Sequence, residues 1–381
     1  MTRKRVPTLD GWRAIAVLLV IWHHFVRGLY SSEEAYSASV SRLGAFGVDV
    51  FFGISGFIIT KLLIEEYIQA GHIDFRGFYV RRAFRILPPC FVYLAVVAAS
   101  GQYRSNLELI GSALFFRNYV PDPISADRTK HLWSLAVEEH FYLFWPLLLT
   151  LILARAGRKQ APVAAAWAAI VFGLWRIVNA QYGLAQRWMP QVPEHFRTDL
   201  RLDALLWGCV AALILSDRGQ RERLRVGYRQ WMLWAIATAC VACTILYSQL
   251  TSLWLPILIP VVLVGTSGNP EWAVSRFLDH PWMQFLGRVS YSLYMWQQLF
   301  LLPGWEQRRL VQTAPWNLVA AGVIAMISYR FLEKPCMDLG RRLGSPRWSG
   351  ARISVSNRSV TAAAIGSNIR PGQSLCENPD R

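Results

Sequence analysis

The stretch Leu9–Tyr30 is apolar enough to cross a bilayer, yet it carries Arg13 and His24. A spanning helix needs about 20 predominantly apolar residues, and this segment supplies them. At 100° per residue, the eleven positions from Arg13 to His24 make roughly three turns plus 20°. The two side chains therefore share one helical face, about 16 Å apart along the axis. His23 points about 100° away from that line. Ionisable groups inside a span are costly and by default face a protein interior or a wet cavity in which they act. The segment thus predicts a helix bundle with a polar interior.

Composition agrees with a membrane protein. Charged residues make up only 17% of the 381, hydrophobic ones 54%, whereas a soluble domain carries about 25% charged residues. The net charge of +16 comes in short basic runs between apolar segments. That placement predicts membrane topology and lipid contact and argues against a nucleic-acid footprint. The N-terminal span has no small-residue cleavage site, which predicts a retained anchor rather than a signal peptide. Cys240 and Cys243 form a C-x-x-C without histidine or basic neighbours, so the cysteines read as small buried hydrophobes.

Apolar segments of spanning character occupy 9–30, 46–68, 87–101, 132–154, 162–181, 199–216, 230–248, 252–268, 284–302 and 315–333. One more, 107–119, is short and contains Arg117. The basic runs at Arg3–Arg5, Arg76–Arg85, Arg155–Lys159, Arg218–Arg229 and Arg341–Arg347 fall on one side only if 107–119 is interfacial or re-entrant. The expectation is an all-α polytopic membrane bundle of about ten helices with both termini cytoplasmic. Residues 1–339 would form the membrane domain and 340–381 a disordered basic tail.

In that topology His24 lies in the outer half of the first helix. Glu138 and Glu139 lie below the outer surface on the segment 132–154, while Asp199, Arg201 and Asp203 open another span. A histidine with carboxylates suits proton transfer from a hydroxyl. The same residues also fit a structural pairing of Glu138 or Glu139 with Arg201, and His23 fits a packing role. No further ligand stands at metal spacing near His23 and His24. On the cytoplasmic side, Phe75-Arg-Gly-Phe-Tyr-Val-Arg-Arg-Ala-Phe-Arg-Ile-Leu-Pro-Pro89 mixes aromatic and basic residues and is expected to stop at its proline pair. It fits an amphipathic helix on anionic lipid or a phosphate clamp built on Arg82 and Arg85.

These blocks resemble the acyltransferase-3 family of integral membrane O-acyltransferases. The resemblance is carried by Leu9-Asp-Gly-Trp-Arg-Ala-Ile-Ala-Val with His23-His24, Phe51-Phe-Gly-Ile-Ser-Gly-Phe, Arg81-Arg-Ala-Phe-Arg-Ile-Leu-Pro-Pro89 and Trp133-Ser-Leu-Ala-Val-Glu-Glu. Later blocks are Arg201-Leu-Asp-Ala-Leu-Leu-Trp-Gly208, Gly287-Arg-Val-Ser-Tyr-Ser-Leu-Tyr-Met-Trp296 and Phe331-Leu-Glu-Lys-Pro335. The resemblance covers residues 9–335 and implies an acyl-CoA donor, typically acetyl-CoA, with a hydroxyl acceptor on a glycan, lipid-linked sugar or macrolide-like molecule.

It implies His24 as the catalytic residue, as a base or as a transient acyl carrier, assisted by Glu138 or Glu139. Arg13, Arg82 and Arg85 would bind the donor. Arg201, Asp203 and Tyr291 stand in blocks open to the acceptor. No tightly bound cofactor or metal is implied, and the bacterial inner membrane is the expected location. Gln297 follows Trp296 where the family often has histidine, and His140 stands where glutamine is frequent. The hydrolase-like domain fused to some members is not found in the sequence, which leaves transfer to the membrane part. A rival expectation is a transporter of a proton-coupled or lipid-linked solute, suggested by buried charge and by Gly53, Gly56 and Pro256 as helix breaks. A non-catalytic sensor or scaffold is a third.

Overall fold

A computed structural model describes residues 6–29, 38–121, 128–217, 251–302 and 310–345, with positions 219 and 222. The predicted span 230–248, the Cys240/Cys243 pair, the run Arg218–Arg229 apart from positions 219 and 222, and the tail beyond Ser345 lie outside the described residues. Among the described residues the chain is helical, with no strand.

Helix α1 (Pro7–Leu29) is followed by α2 (Ala38–Ala70), α3 (Phe75–Ala99), α4 (Asn106–Ala113), α5 (Leu132–Tyr182), α6 (Leu184–Trp188) and α7 (Leu202–Ser216). After the undescribed stretch come α8 (Thr251–Gly268), α9 (Ala273–Leu278), α10 (Pro281–Trp296), α11 (Gln298–Leu301), α12 (Trp316–Ser328) and α13 (Lys334–Leu343). Four of them, α1, α2, α3 and α5, are long and apolar enough to cross a membrane by length and composition.

The predicted segments 132–154 and 162–181 both lie within Leu132–Tyr182, on either side of Gly157. Gly157 takes φ 72° and ψ 170°, a conformation that glycine adopts without the penalty a Cβ would bring, and it interrupts the helix there. Segment 107–119 is a two-turn helix, α4, followed by a 3₁₀ turn at Arg117–Tyr119. Its Arg117 is buried and donates from Nε to Thr129 Oγ1 at 3.0 Å.

Two expectations are corrected. The basic run 75–85 and the apolar run 87–101 are one helix, because α3 starts at Asp74, whose carboxylate caps the Gly77 N–H at 2.9 Å. The helix then runs through Pro88 and Pro89 instead of stopping. Gly53, Gly56 and Pro256 are not helix breaks: α2 is continuous from Ala38 to Ala70, and α8 runs through Pro256.

Those glycines are contact points. A Cβ on Gly56 would strike the Leu205 carbonyl of α7, so α2 and α7 meet backbone to backbone. Gly287 of α10 meets the Asp10 backbone of α1 in the same way. Between apolar helices in lipid, such close approach replaces the hydrophobic drive that water would supply. The most extensive interhelical contacts follow, α2 with α7 and α1 with α10, then α1 with α2 and α5 with α7. A core of Val17, Phe52, Trp145 and Leu205 fills the centre, where the Trp145 indole N–H donates to Thr60 Oγ1 at 2.8 Å. At the end of the bundle that holds the start of α1, α13 packs on α3.

Candidate active site

Two cavities open inside this frame and share a wall. The first, of about 80 Å³, is lined among others by Arg13, Arg82, Arg85, Glu138, Tyr142 and Tyr294. The second, of about 350 Å³, is lined among others by Asp10, Arg13, Lys61, Glu65, Arg85, Arg288 and Glu333. Arg13 and Arg85 line both.

The arginines get there by helical spacing. Arg82 and Arg85, three apart on α3, project from one face, and Arg13 comes from the second turn of α1. Arg13 pairs with Asp10 at 3.2 Å on its own helix. Arg82 lies over the Tyr142 ring, 3.9 Å from its centroid, and its buried Nε has no hydrogen-bond partner. Arg85 makes no hydrogen bond or ion pair among the described residues. A guanidinium has five donors in a fixed fork that matches phosphate and carboxylate, so an uncommitted one facing a cavity is suited to an anionic ligand.

Glu138 reaches the first cavity from α5 but is already engaged. It accepts from Ser55 Oγ and from the Tyr142 hydroxyl, both at 2.9 Å. Tyr142 is four residues on, on the same face of the helix. Glu139 lines neither cavity, and its buried Oε1 has no partner. Tyr291 lines the first cavity and donates to the Ile86 carbonyl at 3.0 Å.

His24 is in a different neighbourhood from Glu138. Its Nδ1 lies 3.2 Å from Gln297 Oε1, and its Nε2 lies 3.3 Å from Gln298 Nε2. The His23 ring stacks edge-on at 4.8 Å. Neither glutamate bonds to His24, so the expected carboxylate–histidine pairing is not what the structure brings together. Contact runs instead from the cavity through Tyr294, whose hydroxyl donates to the His131 carbonyl at 2.7 Å and lies 2.6 Å from Ser134 Oγ. The His131 ring in turn faces Gln298.

Arg201 and Asp203 stand apart again. Arg201 pairs with Asp49 of α2 at 2.8 Å, and Asp203 pairs with Arg176 of α5 at 2.6 Å. Neither lines either cavity. They tie α7 to α2 and α5, and this departs from the acceptor role expected of them. The expected pairing of Arg201 with a glutamate is also replaced, by Asp49. Asp199 accepts from the Trp175 indole N–H at 2.8 Å and pairs with Arg197.

Sequence reasoning did not single out Asp49, Arg176, His131, Ser134, Tyr142, Tyr294 or Gln298. Asp49 carried a signal, an acid within the apolar run Phe46–Phe52. Tyr142 carried another, its four-residue spacing from Glu138. His131 and Gln298 had none, since they meet only through tertiary packing across 167 positions.

Residues 6–328 match the family described as an acyltransferase domain, acyltransferase-3. The chain is 28% identical over 387 aligned residues to the peptidoglycan O-acetyltransferase OatA of Listeria monocytogenes, a match covering 89% of this chain and 57% of the relative. It is 28% identical to the putative peptidoglycan O-acetyltransferase YrhL of Bacillus subtilis, covering 90% and 56% respectively. A putative O-acetyltransferase of Staphylococcus aureus is 27% identical, covering 94% of this chain and 61% of its own length. The chain thus spans little more than half the length of these relatives. No solved structure matches it. With the family's match running from the first turn of α1 to the end of α12, the chain belongs to the acyltransferase-3 family.

Proposed function

We propose that the chain is a membrane O-acyltransferase that moves an acyl group, acetyl by preference, from acyl-CoA to a glycan hydroxyl. The observation that carries this reading is the wall shared by the two cavities, where Arg13 and Arg85 stand and Arg85 is uncommitted. The larger cavity opens beside the start of α1, the end that the basic runs assign to the cytoplasm. There it would receive the phosphates of the donor, with Arg85 and Arg13 on the shared wall and Arg82 on the smaller cavity behind it. The pantetheine arm would pass the shared wall and carry the thioester toward His24, about 16 Å further along α1.

His24 then acts as a general base. It takes the proton of the acceptor hydroxyl as the oxygen attacks the thioester carbonyl, and the C–S bond breaks. Coenzyme A leaves as the thiol, carrying the proton that His24 received. Glu138 keeps Tyr142 and Ser55 in place beside the arginines. The relatives whose names specify peptidoglycan make that polymer the first acceptor to try.

The test is acyl transfer from labelled acetyl-CoA in membranes holding the full chain, comparing wild type with His24→Ala and His23→Ala. The expected result is loss of label incorporation in His24→Ala alone. Equal incorporation in His24→Ala and wild type would remove the mechanism, and transport of solute without incorporated label would return the transporter reading.

A further inference from the structure

His131 is buried at the start of α5, and both its ring nitrogens face defined atoms. Nε2 lies 3.1 Å from the Met295 carbonyl, and Nδ1 lies 2.9 Å from the Gln298 amide oxygen. A carbonyl can only accept, so Nε2 must carry a proton. If Nδ1 also faced an oxygen, His131 would have to be an imidazolium. The surroundings disfavour that second charge. Arg128, itself buried, hydrogen-bonds through Nη1 to the carbonyls of Gln298 and Leu302 on the same segment. Tyr93 and Tyr294 face the ring at 5.3 and 5.4 Å, and His24 lies on the other side of the Gln298 amide.

The oxygen and nitrogen of a glutamine amide have the same shape, and the hydrogen-bond network decides which is where. Turning the Gln298 amide by half a turn gives His131 Nδ1 an N–H to accept from, and leaves the ring neutral. The same turn presents the Gln298 oxygen to His24 Nε2, which lies 3.3 Å from that end of the amide. His24 Nε2 must then carry the proton, and Nδ1 holds the lone pair. A second observation agrees. The Gln297 amide nitrogen is buried without a partner, while its oxygen faces His24 Nδ1. Turning Gln297 puts that N–H on the Nδ1 lone pair. One proton arrangement, with a single proton on each imidazole, then joins His131, Gln298, His24 and Gln297.

We propose that His131 and Gln298 are positioning residues that hold His24 as its Nε2–H tautomer, making Nδ1 the basic nitrogen. The proposal rests on the reading of His24 as the base. When Nδ1 takes the acceptor's proton, Gln297 is displaced from it, and the Nε2–H continues to donate to Gln298. The imidazolium is therefore steadied by an amide that His131 keeps correctly turned. Here an amide and a second imidazole do what a carboxylate does for the histidine in a serine-protease triad, whose orienting role has the same logic.

The test uses the full chain in nanodiscs with ¹⁵N-histidine, read by NMR, together with turnover of labelled acetyl-CoA. In Gln298→Leu and in His131→Asn, the His24 signals should move from the Nε2–H pattern toward the Nδ1–H form or a mixture. kcat should fall about 100-fold with the donor KM unchanged. Gln298→Glu accepts from His24 Nε2 as the turned amide does, and its carboxylate pairs with a His131 that binds a second proton at Nδ1, so it should keep the His24 Nε2–H pattern and recover much of the lost kcat. An unchanged His24 tautomer in Gln298→Leu, or equal losses in Gln298→Leu and Gln298→Glu, would overturn the proposal. The His24→Ala control separates the two claims: full turnover there would remove the catalytic reading, while the tautomer signals would still decide whether His131 and Gln298 set the ring.

Discussion

The ion pairs Asp49–Arg201 and Arg176–Asp203 and the trio Arg13, Arg82 and Arg85 are equally out of place in apolar helices, but they differ in what their charge meets. In the first group each arginine has a carboxylate on another helix, at 2.8 and 2.6 Å, and none of the four lines either cavity. In the second, among the described residues, Arg85 meets no hydrogen-bonding partner, Arg82 meets an aromatic face, and Arg13 meets an acid three residues away on its own helix. Charge closed on charge across helices is architecture. Charge left open to a cavity is a site. An intramembrane arginine thus points to function when no carboxylate of another described helix closes on it.

The largest test of that contrast is in the paired group. Asp203→Ala removes the carboxylate that the buried Arg176 meets at 2.6 Å, which should cost about 3–5 kcal/mol and lower the unfolding midpoint in detergent. Replacing both partners, Asp203→Leu with Arg176→Met, should restore most of the loss. A double variant as weak as the single one would mean the pair is more than a clamp.

A smaller effect is expected where α2 meets α7. Gly56→Ala pushes a Cβ into the Leu205 carbonyl and should destabilise by about 1–3 kcal/mol, with the donor KM little changed. An unaltered unfolding midpoint would show that the two helices do not approach through their backbones.

The smallest effect belongs to the open group's support. Tyr142→Phe removes one hydrogen bond from Glu138 and keeps the ring under Arg82. About 1 kcal/mol is at stake, and turnover should fall by roughly 5-fold. A loss as large as that of His24→Ala would place Tyr142 in the chemistry itself.

Much of the frame was legible in the sequence, because apolar length and helical period depend on local residues alone. Leu9–Tyr30 matches α1 closely, and 107–119 holds only the two-turn α4 and a 3₁₀ turn. The proline pair misled. Prolines usually end helices, but α3 carries Pro88 and Pro89 within it, and its true start was marked instead by the Asp74 cap. The site was legible only in part. Periodicity places His24 and Arg13 on a face, and Arg82 beside Arg85, yet it cannot say which helices lie opposite. The expected partner of Glu138, His24, is thus replaced by Ser55 and Tyr142, and the acceptor expected at Arg201 is replaced by Asp49. Gln297 read only as a departure from the family's pattern, while the structure sets it on His24.

The most direct measurement is the acetyl-CoA KM of Arg82→Ala/Arg85→Ala in membranes, beside the paired-group variant Asp203→Leu/Arg176→Met. A charge-assisted contact is worth about 1.5–3 kcal/mol, so losing both arginines should raise the KM by about 100-fold or more, while the paired-group variant leaves it within about 2-fold of wild type. An unchanged KM in Arg82→Ala/Arg85→Ala would contradict the account, because the open arginines would then have no donor to bind.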